Sequence, residues 1–188
     1  GLACRQLKVP YLVNITGLGA SIEKGGALRK VMLLLYRAAL KKASCIFFQN
    51  QENLDFMRAM NVIGRQKTRL IPGSGVNTDY YAPLDYPPDD VSRFLFIGRV
   101  MAEKGIEQFV DAAEYFKAQN ASAEFHILGG CEERYEKRLT ELQSRGVVVW
   151  HGQTEDVRAF HKTSHCTIHP SYWEGMSNVL LESASCAR

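Results

Sequence analysis

"RFLFIGRVMAEKGIEQFVDAAEYFKAQNASAEFHILGG" runs from Arg93 to Gly130, and its periodicity changes twice. Arg93 to Ile97 is a short apolar run bounded by glycine, which reads as a buried strand. Ile106 to Lys117 then has the spacing of an amphipathic helix, and Glu124 to Leu128 is again a strand. The same alternation continues outward. A helix is expected over Glu132 to Arg145, a strand over Val147 to Trp150, a short helix near Glu155 to His161 and a strand over Cys166 to His169. A last helix is expected from about Ser177. Short strands alternating with helices imply a parallel sheet with right-handed crossovers. The fold class is α/β.

Upstream the alternation is looser. Val9 to Ile15 reads as a strand, Thr16 to Gly26 as a glycine-containing loop, and Ala27 to Ala43 as a helix carrying Arg29, Lys30, Arg37, Lys41 and Lys42. Cys45 to Gln49 is a second strand, Asn53 to Met60 a helix and Thr68 to Ile71 a short strand. "LDYPPDD" has adjacent prolines and three acids without periodicity, so residues 85–92 are the expected linker. Two units follow, residues 1–84 and 93–188.

Charge divides at the same place. Residues 1–84 carry 12 Lys/Arg against 4 Asp/Glu, a net of +8, and residues 85–188 carry 11 against 16, a net of −5. Hydrophobic residues make up 46% of the chain, the composition of an ordinary globular protein. Five scattered cysteines without a C-x-x-C pair fit reduced thiols better than a disulfide framework or a zinc site. The longest apolar run, Val31 to Tyr36, is too short to span a bilayer. His161, His165 and His169 recur every fourth residue, a spacing that suggests zinc on a helix. They run from a helix end into a strand, however, so they share no helical face. No nicotinamide-type G-x-G-x-x-G or Walker-type loop is present.

In an open parallel sheet, ligands bind beyond the carboxyl ends of the strands. "GRVMAEKG", "GG" at Gly129 and Gly130, "HGQTED" and "PSYWEGMSN" follow successive strands on that edge. Glycine admits a ligand close to the backbone, and a helix N-terminus favours an anion. Arg99 and Lys104 would add fixed positive charge for a phosphate. Glu174 and Glu182, eight residues apart, would lie near the same helical side and face one ligand, and their carboxylates can accept hydrogens from a vicinal diol. The plainer reading makes Glu174 a helix-capping acid and Glu182 a solvated helical one. On spacing alone the plainer reading of Glu182 is the stronger.

Four stretches now carry a resemblance: "FIGRVMAEKGIEQFVDAA", "FHILGG", "VVVWHGQTEDVRAFHKTSHCTIHPS" and "EGMSNVLLESASCA". In this order and spacing they resemble the nucleotide-binding domain of a retaining glycosyltransferase of family 4, with the GT-B fold. "GVNTDYYAP" resembles that family's interdomain stretch, with Asn77 where Asp is common. "VPYLVNITGLG" and "CIFFQNQENLDFM" resemble the acceptor domain of bacterial members that build capsular and O-antigen polysaccharides. Against the family pattern, the chain reads as a fragment truncated at both ends. Residues 1–84 would be the later part of the acceptor-side domain, and residues 93–188 the first part of the donor domain.

The resemblance implies a nucleotide-diphosphate sugar donor, with a UDP-sugar favoured, and a glycan or lipid-linked acceptor. Arg99 and Lys104 would neutralise the departing diphosphate, and Glu174 would hold hydroxyls of the transferred sugar. Those three form the expected catalytic set. Glu182 would bind the ribose hydroxyls. Gly98, Gly129, Ser177, Asn178 and Val179 complete the expected donor site. Many relatives have a histidine in the acceptor-side loop, where Gly17 and Gly19 stand here and would offer backbone instead. The family's chemistry requires no obligate metal, and no cofactor and no nucleic-acid partner are expected. The location implied is cytoplasmic, with peripheral contact to anionic membrane at its inner face. Two other readings stand beside this one: a noncatalytic nucleotide-sugar-binding fragment, and a GT-B sugar-nucleotide epimerase.

Overall fold

The structure, a computed structural model, describes residues 1–19, 22 and 25–188. Of the loop expected over 16–26, residues 20, 21, 23 and 24 lie outside the described residues. The chain divides into two compact units. One comprises Gly1–Gly75 with Trp173–Ser177, and the other Val76–Tyr172 with Asn178–Arg188.

The first unit holds a parallel sheet of β1 (Leu12–Ile15), β2 (Cys45–Phe48) and β3 (Thr68–Leu70), in that order. Leu12 pairs with Cys45, and Ile46 with Thr68. Helix α2 (Gly26–Leu40) joins β1 to β2, and α3 (Gln51–Ala59) joins β2 to β3. The Asn50 side chain caps α3 by accepting from the Asn53 amide at 2.8 Å, and the helix starts at Gln51, ahead of the Asn53 that the apolar pattern marks. Ile15, Leu40, Ile46, Phe48, Leu54 and Met57 form the buried core. A short helix, α1 (Leu2–Gln6), precedes β1 where no element was expected, and it shortens the strand read over Val9 to Ile15.

The second unit is a four-stranded parallel sheet of β4 (Ser92–Ile97), β5 (Ala123–Leu128), β6 (Val149–Trp150) and β7 (Cys166–Thr167). Its strand order is β6-β5-β4-β7. Successive side chains of a strand face opposite sides of the sheet, and the two cores show it. Phe94, Phe96, Phe125 and Ile127 pack with Phe109, Val110 and Ala113 of α4 (Ile106–Ala118) and Leu139 and Leu142 of α5 (Glu133–Ser144). Leu95, Ile97 and Leu128 pack on the other side with Phe160 of α6 (Arg158–Thr163) and Val179 of α7 (Asn178–Ser185). The chain therefore runs outward from β4 to β6 with helices on one face, then crosses to β7 with helices on the other. That reversal beside β4 is a topological switch point.

Residues 85–92, read as a linker, are held within the second unit. Tyr86 donates to the His165 carbonyl at 2.7 Å, and Ser122 to the Asp90 carbonyl at 2.9 Å. His165 is buried and uses both ring nitrogens: Nδ1 accepts from the Arg93 amide at 3.0 Å, and Nε2 donates to the Pro88 carbonyl at 3.2 Å. Its role is to fix this strap. Among the described residues no group of three His, Cys, Asp or Glu is placed to hold a metal ion.

Candidate functional site

A cavity of about 720 Å³ opens at the carboxyl ends of β4, β5 and β6. Ile97, Gly98 and Arg99 line it from β4, Leu128, Gly129, Gly130 and Cys131 from β5, and Gln153, Thr154, Glu155 and Val157 from the loop after β6. Backbone bonds tie its floor together. The Gly98 amide donates to the Leu128 carbonyl at 2.9 Å, and the Gly129 amide to the Gly152 carbonyl at 2.7 Å. The Trp150 indole N–H donates to the Gly129 carbonyl at 2.9 Å. Gly129 has φ 142°, and a Cβ there would overlap the Gly98 carbonyl. Only glycine lets these two loops approach so closely, and backbone in place of side chains forms that part of the cavity wall.

Gly98, Arg99 and Gly129 thus share one cavity, and Arg99 is exposed in it. Lys104 lies half-buried in a single 3₁₀ turn, Ala102–Lys104, between β4 and α4. That turn ends at Gly105, whose φ of 74° and contact with Pro170 again admit no side chain. Val179 packs against the cluster of Leu95, Ile97 and Leu128, the last two of which belong to the cavity wall. The first turn of α7, which begins at Asn178, is therefore placed beside the cavity.

Glu182 is half-buried, one turn further along α7. Burial pushes its carboxyl up from the ordinary range, and a hydrogen bond from the Tyr81 hydroxyl pulls it back. Burial raises the Tyr81 hydroxyl in turn, and the charge of Glu182 adds to that. Cys131, in the cavity wall, is pushed up by burial and by Glu136, which keeps it a thiol.

Glu174 is placed differently. Its segment, Trp173–Ser177, groups with the first unit, although it was read as part of the second half. Asn50 donates to the Glu174 carbonyl at 3.1 Å, and the Met176 amide donates to Gln49 at 3.1 Å. Gly175 sits against the Thr16 carbonyl so tightly that no Cβ fits. Because α7 begins at Asn178, the eight-residue spacing from Glu174 to Glu182 is not a helical repeat. Ser177 is buried, and Gly17 and Gly19 are exposed in the first unit.

Two groups escaped the sequence reading. Gln153, Thr154 and Glu155 were noticed only as a loop on the right edge, yet they form one wall of the cavity. Tyr81 lies in "GVNTDYYAP", whose resemblance to the interdomain stretch marks the segment but not the residue, and the stretch has no periodicity.

The family described as glycosyl transferases group 1 matches residues 86–187, more than half of the chain. The whole chain is 26% identical, over 204 aligned residues, to the N,N'-diacetylbacillosaminyl-diphospho-undecaprenol alpha-1,3-N-acetylgalactosaminyltransferase of Campylobacter jejuni, and covers 53% of it. The phosphatidylinositol N-acetylglucosaminyltransferase gpi3 subunit of Schizosaccharomyces pombe is 24% identical over 87% of this chain and 36% of its own length. Among solved structures, Anabaena Alr3699/HepE in complex with UDP and glucose matches the whole chain with a TM-score of 0.76 at 16% identity, over 53% of that protein. The chain spans about half the length of these relatives, or less. The fold that the chain shares with the solved Anabaena structure is the mixed α/β, parallel-sheet GT-B fold.

Proposed function

The chain belongs to the glycosyl transferases group 1 family, and from that premise we propose that its second unit binds the nucleotide-diphosphate portion of a sugar donor. The whole protein then transfers the sugar to a glycan or lipid-linked acceptor. The observation that carries this reading is the cavity at the carboxyl ends of β4, β5 and β6, where Gly98, Gly129 and Gly130 present backbone in place of side chains and Arg99 is exposed. A diphosphate fits such a cavity because glycine lets it lie close against the backbone, and Arg99 neutralises its charge.

The chemistry follows from what these groups do to a departing diphosphate. As the bond between sugar and phosphate stretches, negative charge grows on the leaving oxygen and positive charge on the sugar carbon. Arg99 and Lys104 stabilise the first, as do the amides at the start of α7 around Asn178 and Val179. Glu174 holds hydroxyls of the transferred sugar, while Gly17 and Gly19 offer backbone on the acceptor side. Glu182 receives the two ribose hydroxyls. The reaction proposed is a family 4 transfer with retention at the sugar carbon, from a UDP-sugar, in surface polysaccharide assembly. The Campylobacter relative is named for a diphospho-undecaprenol-linked acceptor, and the Anabaena structure holds UDP and glucose; both support this choice of donor and acceptor class.

Contact with membrane belongs to the same proposal. Leu28, Val31, Leu34 and Leu35 of α2 are exposed, with Lys30, Lys41 and Lys42 exposed on or just beyond the same helix. An apolar stripe with cations attaches reversibly to anionic lipid and brings an enzyme to a lipid-linked acceptor. Among the described residues no helix is long and apolar enough to cross a membrane.

The test is mass spectrometry of products from the full-length protein, given a panel of nucleotide sugars and a lipid-linked acceptor. A new glycosidic product formed from a UDP-sugar supports the proposal. Nucleotide release without transfer to any acceptor would overturn it.

A further inference from the structure

Tyr81 stands about a hundred positions before Glu182 in the chain, yet it reaches α7. Its backbone carbonyl accepts a 2.6 Å hydrogen bond from Ser185, three residues beyond Glu182. Three residues after Tyr81, the Leu84 amide donates to the Cys186 carbonyl at 3.3 Å, and Arg188 donates back to the Leu84 carbonyl at 3.3 Å. The strap from Tyr81 to Leu84 is therefore fastened along the carboxyl-terminal half of α7. The Tyr81 ring is held as well. It stands edge-on to Tyr80, centroids 4.9 Å apart, and edge-on to the buried ring of His161 at 6.4 Å. Held on both sides, the phenol directs its hydroxyl to the Glu182 carboxylate.

We propose that Tyr81 is the positioning residue of the donor site: its hydroxyl orients the Glu182 carboxylate so that the remaining oxygen lone pairs face the two ribose hydroxyls. This rests on the reading of Glu182 as the ribose-binding group. A carboxylate has about four acceptor positions on two oxygens. Unrestrained, a glutamate on a helix loses side-chain entropy when it closes on a diol. With one position already occupied by a fixed hydroxyl, that ordering has happened before the donor arrives.

The same contact governs charge. A diol donates two hydrogens, so Glu182 serves it fully only when ionised. Burial works against ionisation, and the Tyr81 hydrogen bond works for it. Without the hydroxyl, the folded-state value of Glu182 climbs further, and the acidic fall in donor affinity begins at higher pH. The charged and titratable groups around the pair are Tyr80 on the strap, Cys186 one turn along α7, Arg158 and His161 of α6, and Arg188. None of these changes when Tyr81 becomes phenylalanine, which keeps the ring between Tyr80 and His161.

The experiment is calorimetric titration of the full-length protein with UDP from pH 5 to pH 8, for wild type, Tyr81→Phe, Glu182→Gln and the double variant. The proposal expects Tyr81→Phe to weaken UDP binding about three- to tenfold near pH 6, the scale of one hydrogen bond. It expects the acidic limb of affinity to move to higher pH. In the Glu182→Gln background, Tyr81→Phe should change nothing further. If Glu182→Gln leaves UDP affinity untouched, the ribose reading of Glu182 fails and takes this inference with it. If Glu182→Gln weakens binding while Tyr81→Phe moves neither affinity nor limb, the positioning role alone is overturned. An equal loss from Tyr81→Phe with and without Glu182 also overturns it, because the tyrosine would then act through the fold.

Discussion

His161 is the wholly buried side chain in the second unit that costs most to protonate, and its response to acid can be worked out. Neither ring nitrogen has a hydrogen-bond partner. Burial, with the nearby Arg188 charge, lowers its value from 6.5 to about 4. The unfolded chain therefore binds a proton through the range in which the folded chain refuses it. The stabilisation is complete above about pH 6.5 and is lost as pH falls from there toward 4. Between pH 7 and pH 5 the linkage amounts to about 2 kcal/mol, a large share of a domain's margin. The assay is urea denaturation of the full-length protein at several pH values, compared with His161→Leu. Subtracting the two curves cancels every other titration, and His161→Leu also removes two unpartnered polar atoms, so it should not cost stability at pH 7. The wild-type protein should lose about 2 kcal/mol more than the variant between pH 7 and pH 5. Parallel curves over that range would refute the reasoning and show that His161 finds a partner or solvent in solution.

Three further outcomes are expected. In steady-state kinetics of the full-length enzyme, Glu182→Gln should raise the donor KM more than it lowers kcat, because ribose contacts are alike in ground and transition states; Glu174→Gln should mainly lower kcat. Each effect should be about ten- to a hundredfold, the value of a charged hydrogen bond. Gly129→Ala should lower the melting temperature through strain of about 1–3 kcal/mol and abolish detectable UDP binding, since the added methyl overlaps the Gly98 carbonyl and forces apart the two loops of the cavity wall. Flotation with anionic liposomes at low salt should carry wild-type protein but not Leu28→Glu with Leu35→Glu; if the wild type stays at the bottom, the membrane proposal is wrong.

What the sequence made legible was local. The strands and helices of the second unit were readable because each apolar run is short and each helix repeats its buried face, as Phe109, Val110 and Ala113 do in α4. Glycines after strands marked the edge where Gly98 and Gly129 meet. The short strand β7 was overread as reaching His169, because "CTIH" is apolar enough for a strand but pairs with β4 only at Cys166 and Thr167. The partition of the chain was not legible either. Nothing in "WEGMS" announces that these five residues pack with the first unit, since what holds them is a glutamine and an asparagine some 125 positions earlier.

The deepest miss concerns what a carboxylate's spacing can encode. Eight residues between Glu174 and Glu182 suggested two acids facing one ligand, but the helix begins only at Asn178, so the interval fixes no common face. The state of Glu182 depends instead on Tyr81, about a hundred positions upstream, and on how deeply α7 is buried. Sequence separation of that size leaves no periodic trace, because the strap carrying Tyr81 is neither helix nor strand. The histidines make the same point. Their four-residue interval could be set aside as a metal site from the sequence, but it said nothing of their partners: the fold gives His165 two backbone partners and His161 none. A titratable residue announces its chemistry by its letter, but its ionisation is set by burial and by partners that only the tertiary fold supplies. In this chain that makes the phenol at Tyr81, and not a second acid, the group on which the ribose-binding role proposed for Glu182 should turn.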